Sequence, residues 1–134
     1  MKKKICFITV IVLFVCMLVG CTSSKLNKIN LEELNNKVKN QETFILYCSS
    51  ENRNNLEEKL SEILDEYNLQ AYFFNPSKLT QDEINTLKLT IDYDDPSIVF
   101  IINGIDPTIL SHANTNNTKE EIIQRLKDMN FITE

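Results

Sequence analysis

Three short runs of consecutive apolar residues limit what this chain can fold into: Phe44-Ile45-Leu46-Tyr47, Ala71-Tyr72-Phe73-Phe74 and Ile98 to Ile102. Each is too short for a buried helix. Each is also too continuous for a strand with one wet face, so each reads as a strand covered on both sides. Helix signals separate them. Asn30 with Glu33 three residues on reads as a capping box, with Ile29 able to staple to Leu34, and predicts a helix through Leu31, Leu34 and Val38. Residues 51–67 carry Leu56, Leu60, Ile63, Leu64 and Tyr67 at helical spacing. Thr80 with Glu83, stapled by Leu79 and Ile84, opens a short helix to about Leu89. Thr118 with Glu121 opens a last one carrying Ile122, Ile123, Leu126 and Met129. Asn103-Gly104 predicts a tight hairpin turn, since both residues tolerate positive φ. Thr108 to His112 is then the return strand, and Pro107 before it marks a sheet edge. Strands separated by helices imply parallel pairing, and the hairpin adds an antiparallel edge. The expectation is one α/β sandwich of about 110 residues, with a central mixed sheet of about four strands flanked by helices.

The first 20 residues are unlike the rest. Lys2-Lys3-Lys4 forms a basic start, Ile5 to Val19 is an uncharged apolar run, and the segment closes on Leu18-Val19-Gly20-Cys21. A bare transmembrane anchor needs about 20 apolar residues, whereas a shorter run ending at small residues has the form of an export signal. The ending resembles the bacterial lipobox, a Leu-x-Gly/Ala-Cys motif. The resemblance implies a signal peptide over residues 1–20, cleavage before Cys21, and a diacylglyceryl group on its thiol, with palmitate-type acylation of the new amino terminus. Residues 21–26, beginning Cys21-Thr22-Ser23-Ser24-Lys25, are then a polar tether and 27–134 the domain. Several acyl chains together give stable attachment where one is marginal. The expected location is the extracytoplasmic face of the cell membrane, with no cofactor beyond the covalent lipid on Cys21. Of 14 Lys and Arg, three lie in the first 20 residues, and all 19 acids lie beyond. The body from residue 21 therefore carries a net charge of −8. Such a body is a poor match for a phosphate backbone, which excludes nucleic acid as an expected partner.

The element order resembles the thioredoxin fold over most of the mature chain. Pro96-Ser97-Ile98-Val99-Phe100-Ile101-Ile102-Asn103-Gly104 has that family's spacing from its active-site proline, through a buried strand, to an Asn-Gly turn. The helix with Leu60, Ile63, Leu64 and Asp65-Glu66 is similar to the family's active-site helix. The resemblance implies a thioredoxin-like three-layer sandwich, a cis Asp95–Pro96 bond, and a peptide-facing cleft between the helix start at Asn52, Arg53 and Asn54 and the loop at Asp95 and Pro96.

The chemistry departs from that pattern. The four cysteines are Cys6, Cys16, Cys21 and Cys48, with no Cys-x-x-Cys pair. Cys6 and Cys16 fall in the signal and Cys21 takes the lipid, so Cys48 alone remains as a thiol. The strand-to-helix junction reads Tyr47-Cys48-Ser49-Ser50-Glu51-Asn52-Arg53-Asn54, and Glu51 cannot resolve a mixed disulfide. Cys48 has two readings: a small apolar residue closing a buried strand, or a single-thiol site. The first gives a redox-inactive module that binds a protein or peptide partner in the cell envelope. The second gives a single-cysteine envelope thiol–disulfide redox protein, and no other catalytic set is present to suggest an enzyme.

Other residues read as structural. His112 is the only His and is expected as a solvated loop residue, without a second ligand for zinc. Asp92, Asp94 and Asp95 lack the Gly and distal Glu of a calcium loop and are expected as polar loop, so no metal site is assigned. Arg53 reads as an exposed helix charge or a carboxylate-binding group. Tyr72, Phe73 and Phe74 read as strand core. Two Gly in the whole chain exclude a Gly-rich phosphate loop.

Overall fold

A computed structural model describes residues 25–106 and 112–133. Its four strands are β1 (Leu26–Lys28), β2 (Phe44–Cys48), β3 (Ala71–Phe74) and β4 (Ser97–Ile101), in one sheet of order β1-β3-β2-β4. Helix α1 (Leu31–Lys39) joins β1 to β2, and α2 (Asn55–Tyr67) joins β2 to β3. A 3-10 turn at Pro76–Lys78 and helix α3 (Gln81–Lys88) precede β4, and α4 (Lys119–Asp128) follows it. β1 and β2 both run parallel to β3, with Leu26 opposite Ala71 and Leu46 opposite Tyr72.

β4 runs antiparallel to β2, pairing Phe44 with Ile101 and Cys48 with Ser97, although the preceding helix predicts a parallel strand. The reason lies in the connection. β3 ends at Phe74 at the same sheet end where β4 begins, since Phe74 and Ser97 both pair with Cys48. Residues 75–96 leave and return at that end, so the strand they feed must run back. The strand β1 is also unforeseen, because Leu26-Asn27-Lys28 has no apolar run and Leu26 is assigned to the tether. It is an edge strand, tied by Ala71 N–H to the Lys25 carbonyl (2.9 Å) and by Ile29 N–H to the Phe73 carbonyl (2.9 Å).

The capping boxes form as their chemistry predicts. Asn30 and Glu33, Thr80 and Glu83, and Thr118 and Glu121 each exchange both hydrogen bonds, which satisfies amides that a helix start otherwise leaves open. Helix α2 begins at Asn55, four residues later than predicted, behind an Asn54 cap that accepts from Glu57 N–H. It closes on Asn68 in the left-handed region (φ 54°).

All five residues of β2 are buried, and their alternation divides the interior. Ile45 and Tyr47 pack with Leu56, Leu60, Ile63 and Leu64 of α2 and with Ile122 and Leu126 of α4. Phe44, Leu46 and Cys48 face the other way, toward Leu34 of α1, Leu87 of α3, and Phe74 and Tyr93. Full burial of each large aliphatic side chain contributes about 1.5–3 kcal/mol, so both layers hold the sheet. The Asn103-Gly104 turn is as predicted. Asn103 (φ 53°) and Gly104 (φ 75°) are left-handed, and Ile102 and Ile105 exchange both backbone hydrogen bonds (2.9 and 3.0 Å). A Cβ on Gly104 would sit 2.3 Å from the Val38 carbonyl oxygen, so the end of α1 requires glycine there. Of the expected return strand 108–112, only His112 is among the described residues. The antiparallel partner seen is Ala113, which exchanges two backbone hydrogen bonds with Ile98 (2.8 and 3.0 Å).

Candidate functional site

The candidate edge gathers where the C-terminal end of β2 meets the start of α2 and the residues before β4. Ser50 fastens the two sides. Its backbone N–H donates to Asp95 Oδ1 (2.9 Å), and its hydroxyl makes a short hydrogen bond to Asp95 Oδ2. The Asp95–Pro96 bond is cis. Ser97 Oγ donates to the Asp94 carbonyl (2.7 Å), which ties the same turn to β4. On the helix side Asn54 serves three groups. It caps α2 through its carbonyl oxygen, and its amide donates to the Tyr47 hydroxyl (2.6 Å) and to Ser49 Oγ (3.2 Å). Burial pushes the Tyr47 phenol up, so the hydroxyl that Asn54 reaches stays protonated at neutral pH. Arg53 precedes this cap with φ 35°, in a region that non-glycine residues seldom occupy.

These bonds bring Asn52, Arg53, Asn54, Asp95 and Pro96 to one end of the sheet but not into one cleft. Asn52 and Arg53 line an open hollow of about 380 Å³ with Lys28, Glu57 and Phe73. Asp95 lines another of about 420 Å³ with Ser50, Ser77, Lys88, Tyr93 and Asp94. Asn54 is half-buried, with its side chain spent on the cap. Ser49, Ser50 and the Tyr47 hydroxyl, which fix the loop, were not foreseen. The adjacent Ser49-Ser50 pair at a strand-to-helix junction is the signal that points to them.

Cys48 is near this edge in sequence and turned away from it in space. Its side chain is fully buried beside Phe74 and Tyr93, on the sheet face opposite α2. Burial, with a smaller contribution from the Asp95 charge, pushes the thiol far up, which keeps it protonated. The start of α2 therefore does not act on it as a helix N-terminus acts on a reactive cysteine.

His112 is not solvated. Its side chain is 7% exposed, and Nε2 lies 2.8 and 2.9 Å from the two oxygens of Asp106, whose side chain is 6% exposed. A buried imidazole is tolerated because the carboxylate satisfies it. Asp106 also accepts from Asp92 N–H (3.0 Å). The acids of the 92–95 loop are thus engaged separately: the Asp92 amide with Asp106, the Asp94 carbonyl with Ser97, and the Asp95 carboxylate with Ser50.

No protein-family profile and no curated protein matches the chain. Solved structures do. A thioredoxin from Trypanosoma brucei brucei superposes with a TM-score of 0.59 at 10% identity, covering 83% of this chain and 96% of its own. Chloroplastic thioredoxin z gives 0.56 at 15% identity, covering 82% and 98%. A thioredoxin mutant from Entamoeba histolytica gives 0.54 at 11% identity, covering 77% and 98%. The fold is thioredoxin-like: a four-stranded mixed sheet flanked by helices.

Proposed function

We propose that this chain is a lipid-anchored extracytoplasmic protein whose thioredoxin-like module binds a protein or peptide partner without dithiol exchange. Leu18-Val19-Gly20-Cys21 supports the anchor, and its lipid would sit on Cys21. The observation that carries the binding reading is the separation of thiol from edge. Ser50, Asn54 and Asp95 hold the peptide-facing end of the fold in shape, while Cys48 is buried on the other face. An edge kept in order without a reachable thiol suits recognition of an extended segment.

The test places a photo-crosslinking residue at Asn52 or Asp94 in the membrane-anchored protein in its own cells. The expected result is a discrete adduct that a distant label at Glu120 does not give and that Arg53→Glu or Asp95→Ala abolishes. Adducts indifferent to position overturn the reading. Anchoring is tested by Cys21→Ala, which should shift the protein from the membrane to the medium. The second reading, single-thiol redox chemistry at Cys48, rests on its place directly across from Ser97 beside the cis proline. It requires a thiol that alkylates in native protein as fast as in unfolded chain.

A further inference from the structure

We propose that the sheet end carrying the Asn103-Gly104-Ile105 turn is the surface this domain rests against the lipid bilayer, with the Asn52–Pro96 edge displayed on the side away from it. The inference rests on the proposed lipid at Cys21. Lys25, whose carbonyl already holds Ala71 of β3, lies four residues along the chain from Cys21. Four residues reach at most about 14 Å, so the anchor must lie close to the start of β1. β1, β3 and β2 are parallel, and their N-terminal ends therefore share one end of the sheet. β4 is antiparallel and finishes there, with Ile101 opposite Phe44. The turn beyond it is tied to the same end by Gly104 N–H to the Glu42 carbonyl (2.9 Å) and Asn103 N–H to Thr43 Oγ1 (3.0 Å). From β1 to β4 is three strand spacings, about 14 Å, so tether and turn are neighbours on one surface.

That surface presents an apolar tip. Ile105 is 65% exposed, one of two large hydrophobic side chains so exposed among the described residues. Two of the lysines near this end are engaged within the domain. Lys25 bonds Asn68 (3.1 Å) and Lys37 pairs with Glu42 (3.3 Å), while the body as a whole is acidic. The occupant is thus the hydrocarbon margin of the bilayer that holds the anchor, engaged by Ile105 under the short tether. The opposite end, where Cys48 meets Ser97 and Ser50 meets Asp95, is removed from it by the length of the strands.

The test uses full-length lipidated protein in phosphatidylcholine vesicles containing brominated acyl chains, which quench a fluorophore on contact. Single fluorophores are placed on Ile105→Cys, on Lys39→Cys at the same end, and on Asn52→Cys and Ser77→Cys at the other. Native Cys48 is buried and stays silent. The expected result is quenching several-fold greater at Ile105 and Lys39 than at Asn52 and Ser77. Equal quenching at both ends, or greater quenching at Asn52 or Ser77, overturns the orientation. Mass analysis of the N-terminal residue separates the two readings. A lipid-bearing Cys21 with equal quenching removes the orientation alone, whereas a chain without lipid removes anchor and orientation together.

Discussion

A side chain in β2 faces α2 or the opposite layer according to the parity of its position, and Cys48 shares its parity with Phe44 and Leu46. Tyr47, one residue earlier, faces α2 and reaches Asn54. Two predictions belong at this scale. The folded thiol titrates above its unfolded value, so it adds stability that is full below about pH 8.5 and declines as pH rises further. Between about pH 8.5 and 10, urea unfolding should lose up to about 1.4 kcal/mol per pH unit, and Cys48→Ala should flatten this dependence. Above that window Tyr47 and Tyr93, also raised by burial, enter the titration. Tyr47→Phe should cost about 1 kcal/mol, because the Asn54 amide loses one acceptor and keeps Ser49 Oγ. A matched pair of denaturation curves checks each.

The elements show which local rules decide structure. Asn54→Ala removes a cap and two side-chain bonds and should cost about 2 kcal/mol, against about 1 for Asn30→Ala, where the cap acts alone. Gly104→Ala should cost about 2 kcal/mol or more, since φ 75° and the Val38 carbonyl both oppose a Cβ. Thermal melts rank these variants, and equal costs for Asn54→Ala and Asn30→Ala would show that the Tyr47 and Ser49 bonds add nothing. Three helix starts were legible because a capping box is a four-residue pattern with its own chemistry. The Asn103-Gly104 turn was legible for a similar reason, since few residue pairs accept positive φ twice. The start of α2 carried the same kind of signal, Asn54 followed by Glu57, but Glu51 and its polar neighbours obscured it. β1 escaped because a short edge strand with two of its three residues exposed needs no apolar run. The direction of β4 escaped because it depends on where residues 75–96 return, which no local pattern encodes.

For the whole molecule, the buried pair of His112 and Asp106 joins the segment after β4 to the loop after α3. His112→Ala takes one of two partners from the buried Asp106 side chain, leaving the Asp92 N–H, and should cost about 2 kcal/mol in chemical denaturation at neutral pH. A cost within experimental error of zero would mean the pair opens to water. Sequence could not reveal this contact, because neither residue belongs to a periodic pattern and no local motif pairs them. The candidate edge is half legible. The helix start and the proline point to its residues, whereas the Ser49-Ser50 pair marks only the junction and does not show that Ser50 binds Asp95 across it.

The placement of β1 also bears on how the domain would respond to load. If Cys21 is held in a membrane, drag on the domain enters through Lys25, and a tether in line with the strand pulls β1 along its own axis. The bonds at Lys25 and Ile29 then bear the force side by side and must rupture together, where a strand pulled sideways would open them in turn. A three-residue edge strand is a weak element thermodynamically. Loaded in shear, it becomes a mechanical clasp, and the direction of the tether determines which of those two it is.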